Sequence, residues 1–119
     1  MTAVSVFIVT YNSGPLLRYC LDSLRAQTLS GNFETIVVDN ASRDDSAAIV
    51  RSEYPEMQLI ASELNLGFAN ANNLAFTHAR GRYIVLLNPD AELPADALER
   101  AVQHMETDRC RHGRRPVAR

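Results

Sequence analysis

Two rhythms of apolar residues alternate along the chain. Apolar-rich runs the length of a strand occupy residues 4–9, 34–38 (its core Ile36, Val37 and Val38), 57–61 and 82–87 (apolar from Tyr83 onward). Between them the spacing turns helical. Leu16, Leu17, Cys20, Leu21 and Leu24 line one face behind Pro15, which suits a first helical turn. Ser30, Gly31 and Asn32 are expected to break that helix. Ser42 and Asp45 have capping-box spacing, so a second helix is expected through Ala47, Ala48, Ile49 and Val50, closed by Pro55. A loop over 63–68 precedes a helix over 69–79 that carries Leu74 and Phe76 and stops at Gly81. Pro94 opens a last helix with Leu98, Ala101, Val102 and Met105 on one face. Strand followed by helix, four times over, predicts an α/β domain: a mostly parallel sheet flanked by helices and joined by right-handed crossovers.

Composition narrows this picture. The 119 residues suffice for one domain, and 46% hydrophobic with 22% charged residues is ordinary for a soluble chain. No apolar run approaches the roughly 18–20 residues that span a bilayer. No basic stretch precedes an apolar segment at the N-terminus, so a secretory signal is not expected. Cys20 and Cys110 form neither a disulfide framework nor a metal pattern. Cys20 reads as core, and a reducing, cytoplasmic setting follows.

Charge divides the chain. All 12 basic residues are arginine; seven of them stand against all 14 acids in residues 1–108, leaving that part at net −7. The other five lie in residues 109–119. We therefore read 1–108 as the domain and 109–119 as a basic tail expected to be disordered or frameshifted. An acidic body argues against nucleic acid as a partner.

Three strand ends carry polar groups where the apolar runs stop: Thr10, Tyr11 and Asn12; Asp39 and Asn40; Asn88 and Asp90. Ligands of open parallel sheets bind beyond these carboxyl ends. An aromatic ring with amides and carboxylates suits a base and ribose, while turn capping is the plain alternative for Asp39, Asn40 and Asn88. Gly14 stands alone after the first strand, so neither the dinucleotide fingerprint nor the P-loop is present. A bound diphosphate would then need a divalent cation, Mg²⁺ or Mn²⁺, held by Asp90 with Glu92 as the weaker ligand.

Four blocks occur in order: residues 6–12 ending in Thr10-Tyr11-Asn12; 36–44 around Asp39-Asn40-Ala41-Ser42; 65–73 beginning Asn65-Leu66-Gly67-Phe68; and 86–90 ending in Asn88-Pro89-Asp90. Together they resemble the family 2 glycosyltransferases of the GT-A fold, with its Rossmann-like sheet, and most of all the rhamnosyltransferase-like branch that builds bacterial surface polysaccharides. The likeness runs from about residue 4 to about residue 106. It implies an inverting transferase that moves a sugar from a nucleoside-diphosphate donor to a hydroxyl of a glycan or glycolipid acceptor. It also implies donor-binding roles for Thr10, Tyr11, Asn12, Asp39, Asn65, Gly67 and Asn73, and a metal role for Asp90. The family motif is usually Asp-x-Asp, and Glu92 departs from it.

The same likeness places the general base in a second half beyond this chain, so the donor half alone is expected to be truncated and inactive. No acid follows Asp108. The arginine-rich end replaces the small, Gly- and Val-rich strand usual at that point, and a frameshift near residues 107–109 would explain it. A second reading makes the tail a basic patch drawn to anionic lipid at the inner membrane face. Two other functions compete with the transferase: a non-catalytic nucleotide-sugar-binding module, and a nonfunctional remnant.

Overall fold

The computed structural model describes residues 2–29, 32–112 and 117–118, with side chains up to Thr107. The elements are β1 (Val4–Thr10), α1 (Gly14–Arg25), β2 (Phe33–Asn40), α2 (Ser46–Glu53), β3 (Gln58–Ser62), α3 (Gly67–Phe76), β4 (Tyr83–Leu87), α4 (Ala97–His112) and β5 (Val117–Ala118). The sheet order is β3-β2-β1-β4-β5, and every pairing is parallel. The expected α/β architecture is therefore the one found.

Successive residues of a strand face opposite sides of a sheet. Val4, Val6 and Ile8 face a core built with Leu17, Leu21, Leu24, Ile49, Val50, Leu98 and Met105, so α1, α2 and α4 share that side. Phe7 faces the other way, packing with Ile36, Val38 and Ile84 under Ala71 and Ala75 of α3. Small alanines let α3 lie close to the sheet, while its larger Phe68 and Phe76 remain exposed.

Several boundaries differ from expectation for physical reasons. Helix α2 starts at Ser46, so Ser42 is not a cap. The Ser42 hydroxyl is instead taken by the Asn12 N–H, and Asp44 turns back on the Ser46 N–H and hydroxyl. Helix α3 begins at Gly67 and ends at Phe76, three residues before its expected end. Gly81 is not its stop. A Cβ there would stand 2.5 Å from the Ser5 nitrogen and 2.6 Å from the Val4 carbonyl carbon, so only glycine lets the α3–β4 turn lie against β1. Glu34 fixes the same turn: its Oε2 accepts from the Ser5 hydroxyl and the Arg80 N–H, both at 2.6 Å. Pro94 opens a turn rather than α4, and the Ala97 N–H closes onto the Pro94 carbonyl at 3.0 Å.

Helix α4 crosses the 108/109 boundary and continues to His112. Val117 and Ala118 pair with Ile84 and Val85. The expected break at Ser30 and Gly31 lies outside the described residues, as do tail residues 113–116 and 119. Among the described residues, no helix is long and apolar enough to cross a membrane.

Candidate functional site

The strand order reverses at β1: β2 and β3 lie to one side, β4 to the other. In open parallel sheets, ligands usually bind outside the carboxyl ends of the strands at such a reversal. Thr10 and Asp39 are register partners across β1 and β2 at this edge. Both are buried, at 0% and 4% exposure. Asp39 Oδ2 accepts from the Ser42 N–H at 3.2 Å. Asp39 Oδ1 and Thr10 Oγ1 are buried without a protein partner. Buried polar atoms are nearly always satisfied, so this adjacent pair is the feature that makes the strand ends a candidate site. Tyr11 stands next to it with its ring half exposed.

The other expected residues divide between lining and bracing. Asn12 adopts φ 52°, a left-handed conformation that asparagine tolerates better than most residues. Its N–H donates to Ser42 Oγ at 2.9 Å, and its Oδ1 accepts from the Arg43 N–H at 2.8 Å. Asn12 thus ties the loop after β1 to the loop after β2. Gly14 N–H adds a bond to Ser46 Oγ at 3.1 Å. The Ser46 hydroxyl, with lesser help from backbone N–H groups, holds the Asp44 carboxyl below its usual range.

Asn40 braces the third loop. Its Oδ1 accepts from the Leu66 N–H at 2.7 Å and its Nδ2 donates to the Gly67 carbonyl at 3.3 Å. Asn65 Oδ1 accepts from the Gly67 N–H at 2.9 Å, closing a short turn. Gly67 takes φ 78°, where a side chain would be strained. Asn73 is exposed on α3. Asn88 contributes its backbone, accepting from the Cys20 thiol at 3.6 Å. Burial, assisted by the charge of Asp90, pushes the Cys20 thiol up to about 12, so it stays protonated.

Asp90 and Glu92 are exposed in the loop after β4. Among the described residues there is no cluster of three or more acidic, His or Cys side chains able to hold a metal. Two accessible carboxylates still fit Mg²⁺ or Mn²⁺, which commonly take one or two protein oxygens and complete their shell with phosphate and water. Two open grooves of about 200 and 370 Å³ lie elsewhere, at the amino ends of β2 and β3 beside Thr35, Glu56 and Met57. The strand ends are the candidate site on their chemistry, not on groove volume.

Sequence reading missed the roles of Ser42, Asp44 and Ser46 as cross-braces, and of Ser23 and Gln27 below the acidic loop. No local pattern announces these long-range braces, because the partners of Ser42, Ser46, Ser23 and Gln27 lie 30 to 71 residues away.

Comparison with known proteins agrees with this fold. The Glycosyl transferase family 2 model matches residues 5–116. Chondroitin synthase of Escherichia coli is 32% identical over 108 residues, covering 88% of this chain and 16% of its own length. The structure of S. aureus TarS 1–349 in complex with UDP superposes with a TM-score of 0.81 at 26% identity, covering 89% of this chain and 32% of that one. The mannosyltransferase PcManGT from Pyrobaculum calidifontis, in complex with GDP-Man and Mn²⁺, gives 0.71 at 35% identity, covering 77% and 28%. The chain thus spans about a third or less of these relatives. It belongs to glycosyl transferase family 2.

Proposed function

Taking that membership as the premise, we propose that the chain binds the nucleoside-diphosphate sugar of an inverting glycosyl transfer in surface polysaccharide synthesis. The observation that carries this reading is the adjacent pair of buried, unpartnered oxygens on Thr10 and Asp39. An ionised carboxylate only accepts, and a hydroxyl both donates and accepts. A base edge or ribose offers N–H, C=O and O–H groups to match, with Tyr11 flanking and Asn12 keeping the loop in place. Asn65, Gly67 and Asn73 form the loop and first turns of α3 on the neighbouring side. The motif order favours the rhamnosyltransferase-like branch, hence a deoxythymidine or uridine diphosphate donor. The TarS complexes with UDP and UDP-GlcNAc support a uridine donor by analogy.

Asp90, with Glu92 as the weaker ligand, would hold the cation on the diphosphate. A bound cation stabilises the negative charge that grows on the leaving group. The arginine-rich end suits an anionic membrane surface at the cytoplasmic face. We place the general base, and the glycan or glycolipid acceptor site, in the portion of the relatives that this chain does not span. The chain alone is then a donor-binding half.

Calorimetric titration with UDP and deoxythymidine diphosphate in Mn²⁺ tests the reading. We expect one site, weakened at least about tenfold in Asp39→Ala through loss of a charge-assisted hydrogen bond. Equal affinity in wild type and a folded Asp39→Ala chain would overturn it. Sugar transfer by the 119-residue chain alone would overturn the placement of the base.

A further inference from the structure

The acidic loop is held from below at both ends. On α1, the Cys20 thiol donates to the Asn88 carbonyl at 3.6 Å, and Ser23 Oγ accepts from the Leu93 N–H at 3.1 Å. Gln27, just past the helix, grips the chain twice: its Nε2 donates to the Pro94 carbonyl at 2.7 Å and its Oε1 accepts from the Leu98 N–H at 3.0 Å. The Thr28 N–H adds a bond to the Ala95 carbonyl at 2.8 Å. Cys20 and Ser23, three residues apart, share one side of α1, and Gln27 continues from its end, so the last turns of α1 and the residues just after it meet the whole segment. All these partners are main-chain atoms, so the bonds set the path of the chain rather than the rotamer of any one side chain.

Asp90 and Glu92 lie between the two anchored points, Asn88 and Leu93. Gln27 is 4% exposed, and both ends of its amide are used. A polar side chain buried this deeply and satisfied this fully is conspicuous beside a hydrophobic core. We infer that Ser23 and Gln27, with Cys20, are positioning residues: they fix the loop so that the Asp90 and Glu92 carboxylates meet a cation on the donor diphosphate. This rests on the donor-binding reading above. It adds that the metal subsite is supported by α1, the helix that also follows the proposed nucleoside loop, and by the residues just after it.

The test uses the 119-residue chain with UDP and Mn²⁺. UDP affinity is measured with and without Mn²⁺ for wild type, Ser23→Ala, Ser23→Thr and Gln27→Ala, with circular dichroism to confirm folding. We expect Ser23→Ala and Gln27→Ala to weaken the Mn²⁺-dependent part of binding about tenfold, the lower end of what outer-shell losses do to metal affinity. Metal-free UDP affinity should stay within about twofold, and Ser23→Thr should restore the Mn²⁺ effect because it keeps the hydroxyl. Two outcomes overturn the inference alone: a folded Ser23→Ala with wild-type Mn²⁺ dependence, or equal weakening with and without metal. Wild-type chain that binds UDP identically with and without Mn²⁺ overturns the metal reading, and this inference with it. If Gln27→Ala fails to fold, the pair of Ser23 variants decides.

Discussion

Asn12 fastens the loop after β1 to the loop after β2: its side-chain oxygen accepts the Arg43 N–H at 2.8 Å, across 31 residues of sequence. Its own N–H returns a bond to the Ser42 hydroxyl. Asn12→Ala would lose the amide oxygen and leave a non-glycine residue at φ 52°. We expect a loss of about 1–3 kcal/mol in urea unfolding. Asn12→Gly relieves the backbone while losing the Arg43 bond, so it should fall between Asn12→Ala and wild type.

Gly81 tests packing at the opposite end of the sheet. Its missing Cβ is the space occupied by the backbone of Val4 and Ser5. Backbone cannot rotate away, so Gly81→Ala should destabilise by about 1–3 kcal/mol or more. Gly67 is the contrast. A Cβ there meets nothing within 4 Å, and the penalty of Gly67→Ala is conformational, about 1–2 kcal/mol for the left-handed backbone. Chemical denaturation of both variants should rank Gly81→Ala as the more damaging.

Asp44 gives the pH dependence near the site. Hydrogen bonds from Ser46, its hydroxyl first, lower the Asp44 carboxyl in the folded chain. A depressed folded value means the stabilisation is complete above the unfolded carboxylate range and fades as pH falls through the folded value. Asp44→Asn should flatten stability against pH on the acid side and leave the neutral region's slope unchanged. Thermal unfolding from pH 7 down to about pH 3 checks this. An unchanged acid slope in Asp44→Asn would show that the Ser46 bonds do not favour the ionised form.

The metal reading has its own graded expectation. Asp90→Ala should abolish the gain in UDP affinity on adding Mn²⁺, while Glu92→Ala should reduce it less. Titration of each variant with and without Mn²⁺ separates the two carboxylates. A larger loss in Glu92→Ala would reverse their assigned order.

The strands and helices were legible because burial dictates periodicity: Val6, Phe7 and Ile8 could only suit a strand covered on both faces. Boundaries were less legible where loop polar groups meet partners far along the chain. Ser42 has the spacing of a cap, yet Asn12 takes its hydroxyl, and no local pattern announces a partner 30 residues away. Gly81 looked like a helix stop, while its role is to admit the backbone of β1. At the site, the strand ends stood out as polar groups closing apolar runs. The separation of Asn40, a brace on the Leu66 and Gly67 backbone, from Asp39, whose Oδ1 is unpartnered, needed three dimensions.

Ala41 completes the picture of the loop after β2. It holds φ 65°, a conformation that a methyl side chain resists by about 1–2 kcal/mol, between the brace Asn40 and the hydroxyl of Ser42. Glycine would be the easier residue, yet alanine stands there and limits how far the loop can relax when the site is empty. The chain is thus not at its own stability optimum. A thermostabilising Ala41→Gly would relieve this strain, at the risk of loosening the rim of the candidate site.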